Sequence, residues 1–139
     1  QMPEKTREAF TPDGFFRTGD LGRFDADGYL AIIGRDKDLI ITGGLNVYPK
    51  EIEEAIDAMP GVAESAVIGL PHPDFGEAVT AVVVRRRDAS GLTAEGLIAA
   101  LKGSIAGFKV PKAVHFVDDL PRNAMGKVQK SLLRQRFAA

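Results

Sequence analysis

The sequence predicts a small α+β domain in which helices pack on one side of a central β-sheet, preceded by a short β-hairpin region. From residue 49 onward, the apolar pattern gives the order helix, strand, strand, helix, strand and terminal helix. Upstream, Asp27-Gly28 directly precedes the β-rich run "YLAII", which is typical of a hairpin turn. A charged cluster at residues 35–38 separates these two parts and is the predicted boundary.

Both main helices are marked by their ends. Pro49 suits the first turn of the first helix, and Pro60-Gly61 ends it. Thr93 is the predicted N-cap of the second helix, which we expect over residues 93–108. The apolar positions at helical spacing are Ile52, Ala55, Ile56 and Met59 in the first helix, and Leu97, Ile98, Leu101 and Ile105 in the second.

Three apolar segments predict strands, at residues 62–70, 78–86 and 113–120. The near-continuous apolar centre of the second strand indicates burial on both of its faces. Residues 130–138 predict a short basic helix at the end of the chain.

Composition excludes several functional classes. The chain has no cysteine, so disulfides, thiol catalysis and Cys-based zinc sites are excluded. A net charge of −1 gives no sign of a nucleic-acid or membrane surface, and we expect neither partner. No apolar run reaches the ~20 residues of a membrane span, and no signal peptide is visible, so we expect a cytoplasmic protein. The polar opening without an initial Met suggests a fragment of a longer chain.

The segment "LPRNAMGKVQK", residues 120–130, contains a Gly-Lys pair that invites comparison with a P-loop. A P-loop needs Gly five residues before the Gly-Lys pair and a hydroxyl residue after it. Position 121 is Pro and position 128 is Val, so the P-loop interpretation fails. Lys127 is then either a solvated lysine or a lysine presented to a substrate charge, and spacing alone does not decide between them.

Other polar positions leave similar alternatives open. Asp20, next to Gly19, suits either a diol acceptor or a turn that holds its own backbone. Arg35 suits either a phosphate or ribose contact, or ion pairs with neighbouring Asp residues. Gly43-Gly44 suits either a plain turn or close approach of the backbone to a ligand.

Three motifs in order, "GFFRTGDLG", "GRDKDLIITGGLNVYPKEIE" and "PRNAMGKVQK", resemble the closing motifs of the AMP-forming acyl-CoA synthetase superfamily. This superfamily includes aryl-CoA ligases, luciferases and the adenylation domains of peptide synthetases. The intervening "PHPDFGEAVTAVVV" and "FKVPKAVHFVDDLP" are also similar, so the resemblance covers nearly the whole chain. The second motif is closer to acyl- and aryl-CoA ligases, and the sequence as a whole is most similar to malonyl-CoA synthetases.

The resemblance implies a domain organisation and a reaction. Residues 1–36 would end a large N-terminal adenylate-forming domain, and residues 37–139 would form its mobile C-terminal lid domain. The reaction would convert a carboxylate, ATP and coenzyme A (CoA) into acyl-CoA, AMP and pyrophosphate through an acyl-adenylate. The missing N-terminal domain would hold the acyl pocket and most contacts to ATP and Mg²⁺, so we expect residues 1–139 alone to be inactive.

The resemblance also implies roles for residues in both half-reactions. Asp20 would bind the ribose hydroxyls of ATP, Arg35 would contact the ribose or phosphate, and Lys127 would be the catalytic lysine of adenylation. Lys37, or less favourably Asp36, would be the hinge about which the lid domain rotates before thioester formation. The positions implied for CoA binding are Gly43, Gly44, Phe108 and Lys109.

Two further hypotheses accompany this interpretation. In bacterial relatives the catalytic lysine is often acetylated, so a lysine acetyltransferase and a deacetylase acting on Lys127 are candidate partners. The alternatives for function are a fatty-acyl- or aryl-CoA ligase of the same superfamily and, in a different class, a free-standing α+β binding module without catalysis.

Overall fold

A computed structural model describes residues 3–138 of the chain. The chain divides into two compact units, one ending at Lys37 and the other beginning at Asp38. We call them the N-terminal unit and the C-terminal unit.

The N-terminal unit contains a short helix and a β-hairpin. Its elements are α1 (Pro3–Glu8), β1 (Asp20–Phe24) and β2 (Leu30–Arg35). The two strands pair antiparallel, as predicted. Gly28 has φ +86°, and the Asp25 carboxylate accepts hydrogen bonds from the backbone N–H groups of Asp27 and Tyr29. The predicted Asp27-Gly28 turn is therefore confirmed, with Asp25 as its side-chain acceptor.

A 3₁₀ turn, Asp36–Asp38, leads into the C-terminal unit. The elements that follow are β3 (Ile40–Thr42), β4 (Leu45–Val47), α2 (Pro49–Asp57), β5 (Val62–His72), β6 (Gly76–Arg85), α3 (Ala94–Lys102), a 3₁₀ turn (Gly107–Lys109), β7 (Ala113–Val117) and α4 (Lys130–Phe137). The predicted order from residue 49 onward is confirmed. The short β3–β4 hairpin was not predicted.

Strand β6 is the centre of the sheet, whose order is β4-β3-β6-β5. It pairs antiparallel with β5 along most of its length. It pairs with β3 through Thr42 and Gly76, and β7 lies parallel to it further along. The result is a mixed sheet flanked by helices, which confirms the predicted fold class.

The core has two parts, on opposite faces of the sheet. On the α2/α3 face, the sheet packs against buried side chains of α2 and α3, namely Ile52, Ile56, Leu97 and Leu101. On the α4 face, it packs against the buried Leu133 of α4 and against Leu120. The expectation that helices lie on one side of the sheet is therefore wrong. The predicted burial of the middle strand on both faces is confirmed, because Val82 and Val83 are both fully buried.

The second helix begins where predicted and ends earlier. Thr93 accepts a hydrogen bond from Gly96 N–H at 3.1 Å, which confirms the N-cap. Helix α3 ends at Lys102 rather than near residue 108, because Gly103 and Gly107 interrupt the segment. No helix within residues 3–138 is long and apolar enough to cross a membrane.

Candidate functional site

Lys127 lies in a closed loop between the sheet and α4. The Asn123 side-chain oxygen accepts hydrogen bonds from Met125 N–H at 2.9 Å and from Lys127 N–H at 3.0 Å. Asn123 N–H in turn donates to the carbonyl of Lys127 at 2.9 Å, and Gly126 has φ +81°. Asn123 and Gly126 thus give the backbone a defined tight turn at the position of Lys127.

The Lys127 side chain extends from an exposed position of this loop. The residue is exposed, and within the described part of the chain no hydrogen bond or ion pair involves its ammonium group. Hydrogen bonds thus order the loop backbone, whereas the ammonium group at its tip has no such partner among the described residues. An ammonium on such a turn is available to anionic groups of a ligand.

Asp20 and Arg35 are brought together in the N-terminal unit. They are register partners on β1 and β2, and Arg35 Nε lies 3.6 Å from Asp20 Oδ1. The Asp20 N–H donates to the Thr18 hydroxyl, so this turn is held by Thr18 rather than by the Asp20 carboxylate. Arg35 pairs with Asp20 and not with the neighbouring Asp residues. The two candidate nucleotide contacts therefore form one partly exposed acid–base pair.

Lys37 lies at the boundary between the two units, inside the Asp36–Asp38 turn. The residues on either side of it are fixed within their own units. Asp36 N–H donates to the carbonyl of Gly19 at 2.8 Å in the N-terminal unit. Asp38 pairs with Arg134 of α4 at 3.1 Å in the C-terminal unit.

Gly43 and Gly44 form the two-residue turn of the β3–β4 hairpin. Both have positive φ, +56° and +80°, which favours glycine at each position. A Cβ at either residue would meet nothing within 4 Å, so the turn is also open to its surroundings. Gly43 N–H donates to the carbonyl of Phe75 at 2.8 Å. Backbone conformation, and not lack of space, therefore accounts for the glycine pair in this structure.

Phe108 and Lys109 form a short turn after α3, and their side chains differ in environment. Phe108 is 38% exposed. Lys109 donates to both carboxylate oxygens of Glu51, each at 2.9 Å, at the start of α2. Lys109 therefore already holds an ion pair, which a competing anion would have to displace.

Sequence reasoning missed the side chains that hold these candidate segments in place. Arg122 donates to the carbonyl of Gly126 at 2.8 Å and forms an ion pair with Glu64 of β5. The Glu77 carboxylate accepts a hydrogen bond from Ile41 N–H at 2.8 Å and so secures β3. The Arg122–Glu64 and Ile41–Glu77 contacts join residues 58 and 36 positions apart in sequence, so no local pattern indicates them. Asn123, three residues before Gly126, was a detectable turn signal.

Comparison with known proteins places this geometry in a family. Residues 51–127 match the model of the AMP-binding enzyme C-terminal domain. The chain belongs to this family. The matched range begins in α2 and ends at Lys127, so it includes β5, β6, α3 and β7 as well as most of α2.

The relatives extend the similarity upstream of the matched range. The chain is 62% identical to ATP-bound MatB from Rhodopseudomonas palustris, with a TM-score of 0.91, over 99% of this chain and 27% of that one. It is 47% identical to long-chain-fatty-acid–CoA ligase FadD13 of Mycobacterium tuberculosis, over 99% of this chain and 27% of that protein. Feruloyl-CoA synthase of Amycolatopsis is 46% identical over 97% of this chain and 27% of that protein. The chain therefore spans about a quarter of the length of these relatives.

Proposed function

We propose that this chain is the C-terminal portion of an ATP-dependent acyl-CoA ligase. The full-length enzyme would join a carboxylate to AMP with release of pyrophosphate, and would then transfer the acyl group to the CoA thiol with release of AMP. The observation that carries this proposal is the presentation of Lys127 on an ordered, exposed loop of an AMP-binding C-terminal domain. Relatives in the same alignment range are named as CoA ligases or synthases.

In the first half-reaction, Lys127 would stabilise developing negative charge. A carboxylate attacking ATP brings two anions together, so charge repulsion contributes strongly to the barrier. The Lys127 ammonium would bridge a carboxylate oxygen and an α-phosphate oxygen, as a compact charge with several donors can. Removal of such a group typically costs ~10²-fold or more in rate.

Asp20 and Arg35 would hold the nucleotide. The Asp20 carboxylate is an acceptor suited to the two ribose hydroxyls, which are hydrogen-bond donors. Arg35, its cross-strand partner, keeps a positive charge beside that carboxylate and has further donors for the ribose or phosphate. Their partial exposure leaves both side chains able to exchange the mutual ion pair for ligand contacts.

Lys37 would be the hinge between the half-reactions. Asp36 is hydrogen-bonded within the N-terminal unit and Asp38 is ion-paired within the C-terminal unit, so a change of φ and ψ at the residue between them would leave both of these contacts intact. This arrangement favours Lys37 over Asp36 as the position at which φ and ψ change. The proposed domains are accordingly 1–36, the end of the adenylate-forming domain, and 37–139, the mobile lid.

The second half-reaction would use another surface of the lid. The Gly43-Gly44 turn would line the passage for the pantetheine arm of CoA, where absent side chains leave room. Phe108 offers an exposed ring for the adenine of CoA, and Lys109 a cation for its phosphates. The Lys109–Glu51 ion pair would then open on CoA binding.

The described residues offer no cluster of metal ligands for Mg²⁺. No group of three or more His, Cys, Asp or Glu side chains within residues 3–138 is arranged to hold a metal ion. We therefore assign Mg²⁺, together with most of the ATP contacts, to the N-terminal domain. Because ATP and CoA are the substrates, we also propose a cytoplasmic enzyme.

For the acid, we propose malonate. Support comes from the 62% identity to MatB, a malonyl-CoA synthetase, against 47% for the long-chain ligase and 46% for the feruloyl ligase. Fatty and aryl acids are the alternatives, because the acyl pocket belongs to the N-terminal domain. Exposed and unpaired, Lys127 would also be accessible to a lysine acetyltransferase, and acetylation would remove its charge.

ATP–pyrophosphate exchange by the full-length enzyme tests the proposed function. The panel contains malonate, methylmalonate, a medium-chain fatty acid and a hydroxycinnamate, each with and without CoA. We expect exchange with malonate and release of malonyl-CoA when CoA is added. Exchange with none of the acids would refute the ligase function, whereas exchange with another acid alone would refute only the choice of malonate.

A further inference from the structure

The Arg122 side chain connects the Lys127 loop to the central sheet by a hydrogen bond and an ion pair. Arg122 donates through Nη1 to the carbonyl of Gly126, the residue before Lys127, at 2.8 Å. Through Nη2 the same guanidinium forms an ion pair with the Glu64 carboxylate of β5. A single planar group thus joins the tip of the loop to a strand whose partner is the central β6.

The remaining hydrogen bonds of the loop do not make this connection. Gln129 N–H donates to the carbonyl of Pro121 at 2.8 Å, and the Asn123 bonds close the tip on itself. Within the described residues, the other hydrogen bonds of residues 123–127 stay between positions 121 and 129. They fix the shape of the turn, but only Arg122 fixes, by hydrogen bond and ion pair, the direction in which the tip is held.

A β-bulge places Glu64 where Arg122 can reach it. The register of β5 against β6 shifts between Val62 and Glu64. Val62 packs on the α2/α3 face, whereas Ala66 packs on the α4 face, although uninterrupted alternation would put both on one face. The bulge therefore turns Glu64 away from α2 and α3 and toward the loop that precedes α4.

The base of the loop has a separate anchor. Lys130, the first residue of α4, lies 2.6 Å from the Glu53 carboxylate of α2, and both side chains are mostly buried. This ion pair fixes the start of the helix and does not reach the tip. Arg122 can therefore be changed without removing the attachment of α4.

We propose that Arg122 is a positioning residue for adenylation, anchored by Glu64 and acting through Lys127. This inference rests on the proposed function of Lys127. A lysine at position 122 would keep the positive charge but has no planar fork to serve Gly126 and Glu64 together. A loop tip displaced by ~1 Å can lower the rate by as much as ~10²-fold, because the ammonium then misses the reacting oxygens.

The test uses the full-length enzyme and two variants on the two sides of the contact, Arg122→Lys and Glu64→Gln. Their matched controls are Arg87→Lys and Glu54→Gln, which change exposed side chains in the turn after β6 and on α2. Adenylate formation is measured by pyrophosphate exchange, and thioester formation by supplying the acyl-adenylate and CoA. Thermal unfolding of every variant is measured alongside, and each substitution is repeated on a Lys127→Ala background.

We expect both variants to lower the kcat of adenylation about tenfold or more, with little change in KM for ATP or acid. Thioester formation should match the controls, and no further loss should appear when Lys127 is already Ala. Equal losses in both half-reactions, or losses that multiply with that of Lys127→Ala, would overturn the positioning role. So would normal adenylation by both variants while Lys127→Ala is selectively impaired. A Lys127→Ala enzyme that adenylates normally would instead overturn the proposed function.

Discussion

Substitution of Gly126 by Ala tests how strongly the Lys127 loop depends on its backbone conformation. Gly126 has φ +81°, and a Cβ there would meet nothing within 4 Å. Steric clash with neighbours is therefore absent, and the cost is the left-handed backbone of an L-residue, about 1–2 kcal/mol.

The loop can avoid this cost only by leaving its present turn. If the whole 1–2 kcal/mol disfavours the present turn relative to a displaced loop, the fraction of enzyme with the present turn falls by roughly 5- to 30-fold. The displaced turn loses the Arg122 hydrogen bond to the Gly126 carbonyl and the Asn123 hydrogen bond from Lys127 N–H. Adenylation should fall by a similar factor, because Lys127 is no longer held toward its ligands.

Pyrophosphate exchange measures this effect, with thioester formation from supplied acyl-adenylate as the second readout. Gly91→Ala is the matched control, since a Cβ at Gly91 also meets nothing and φ there is not positive. Gly126→Asn should be milder than Gly126→Ala, because Asn tolerates the left-handed region better. Adenylation by Gly126→Ala equal to that of Gly91→Ala would refute the dependence on the turn.

Three further changes probe the hinge, the Gly43-Gly44 turn and the fold. Lys37→Pro should block thioester formation and leave adenylate formation measurable. The proline ring holds φ near −65°, as a 3₁₀ turn needs, and prevents φ from changing. Lys37→Ala is the control, and normal overall turnover by the Pro variant would exclude Lys37 as the hinge. Glu77→Ala should slow thioester formation more than adenylation, because Ile41 N–H loses its acceptor and β3 no longer fixes the position of the Gly43-Gly44 turn. Glu54→Ala is the control. An equal effect on both half-reactions would count against this role of Glu77. Thr93→Ala should lower the protection of α3 amides from hydrogen exchange by roughly fivefold, since an N-cap contributes ~1 kcal/mol. Thr93→Ser, the control, should retain this protection. Hydrogen exchange of Thr93→Ala unchanged from wild type would contradict the capping role.

Local signals were sufficient to predict most of the fold. Pro49 and Pro60-Gly61 bracket α2, and Thr93 caps α3 through the hydrogen bond expected of it. The β3–β4 hairpin escaped prediction because each strand has three residues, too few to show alternation. The packing of α4 on the other face of the sheet was not predicted, because α4 is short and basic. Only a few apolar side chains of this helix, among them Leu133 and Phe137, cover that face.

The candidate site divides in the same way. Asp20, Arg35 and Lys127 stand out through their glycine neighbours and motif context, and the structure brings Asp20 and Arg35 together on paired strands. The contacts that hold the Lys127 loop arise only on folding. Arg122 and Glu64 are 58 residues apart in sequence and meet because a bulge in β5 turns Glu64 toward the loop. No periodicity or spacing in the sequence indicates such a pair.

The ratio of the two half-reaction rates in Lys127→Ala tests most directly whether Lys127 acts in adenylation alone. Adenylate formation from acid and ATP is compared with thioester formation from supplied acyl-adenylate in the same preparation, with Lys102→Ala as the control. We expect adenylate formation to fall ~10²-fold or more while thioester formation stays at the control rate. Loss of both half-reactions by the same factor would contradict it.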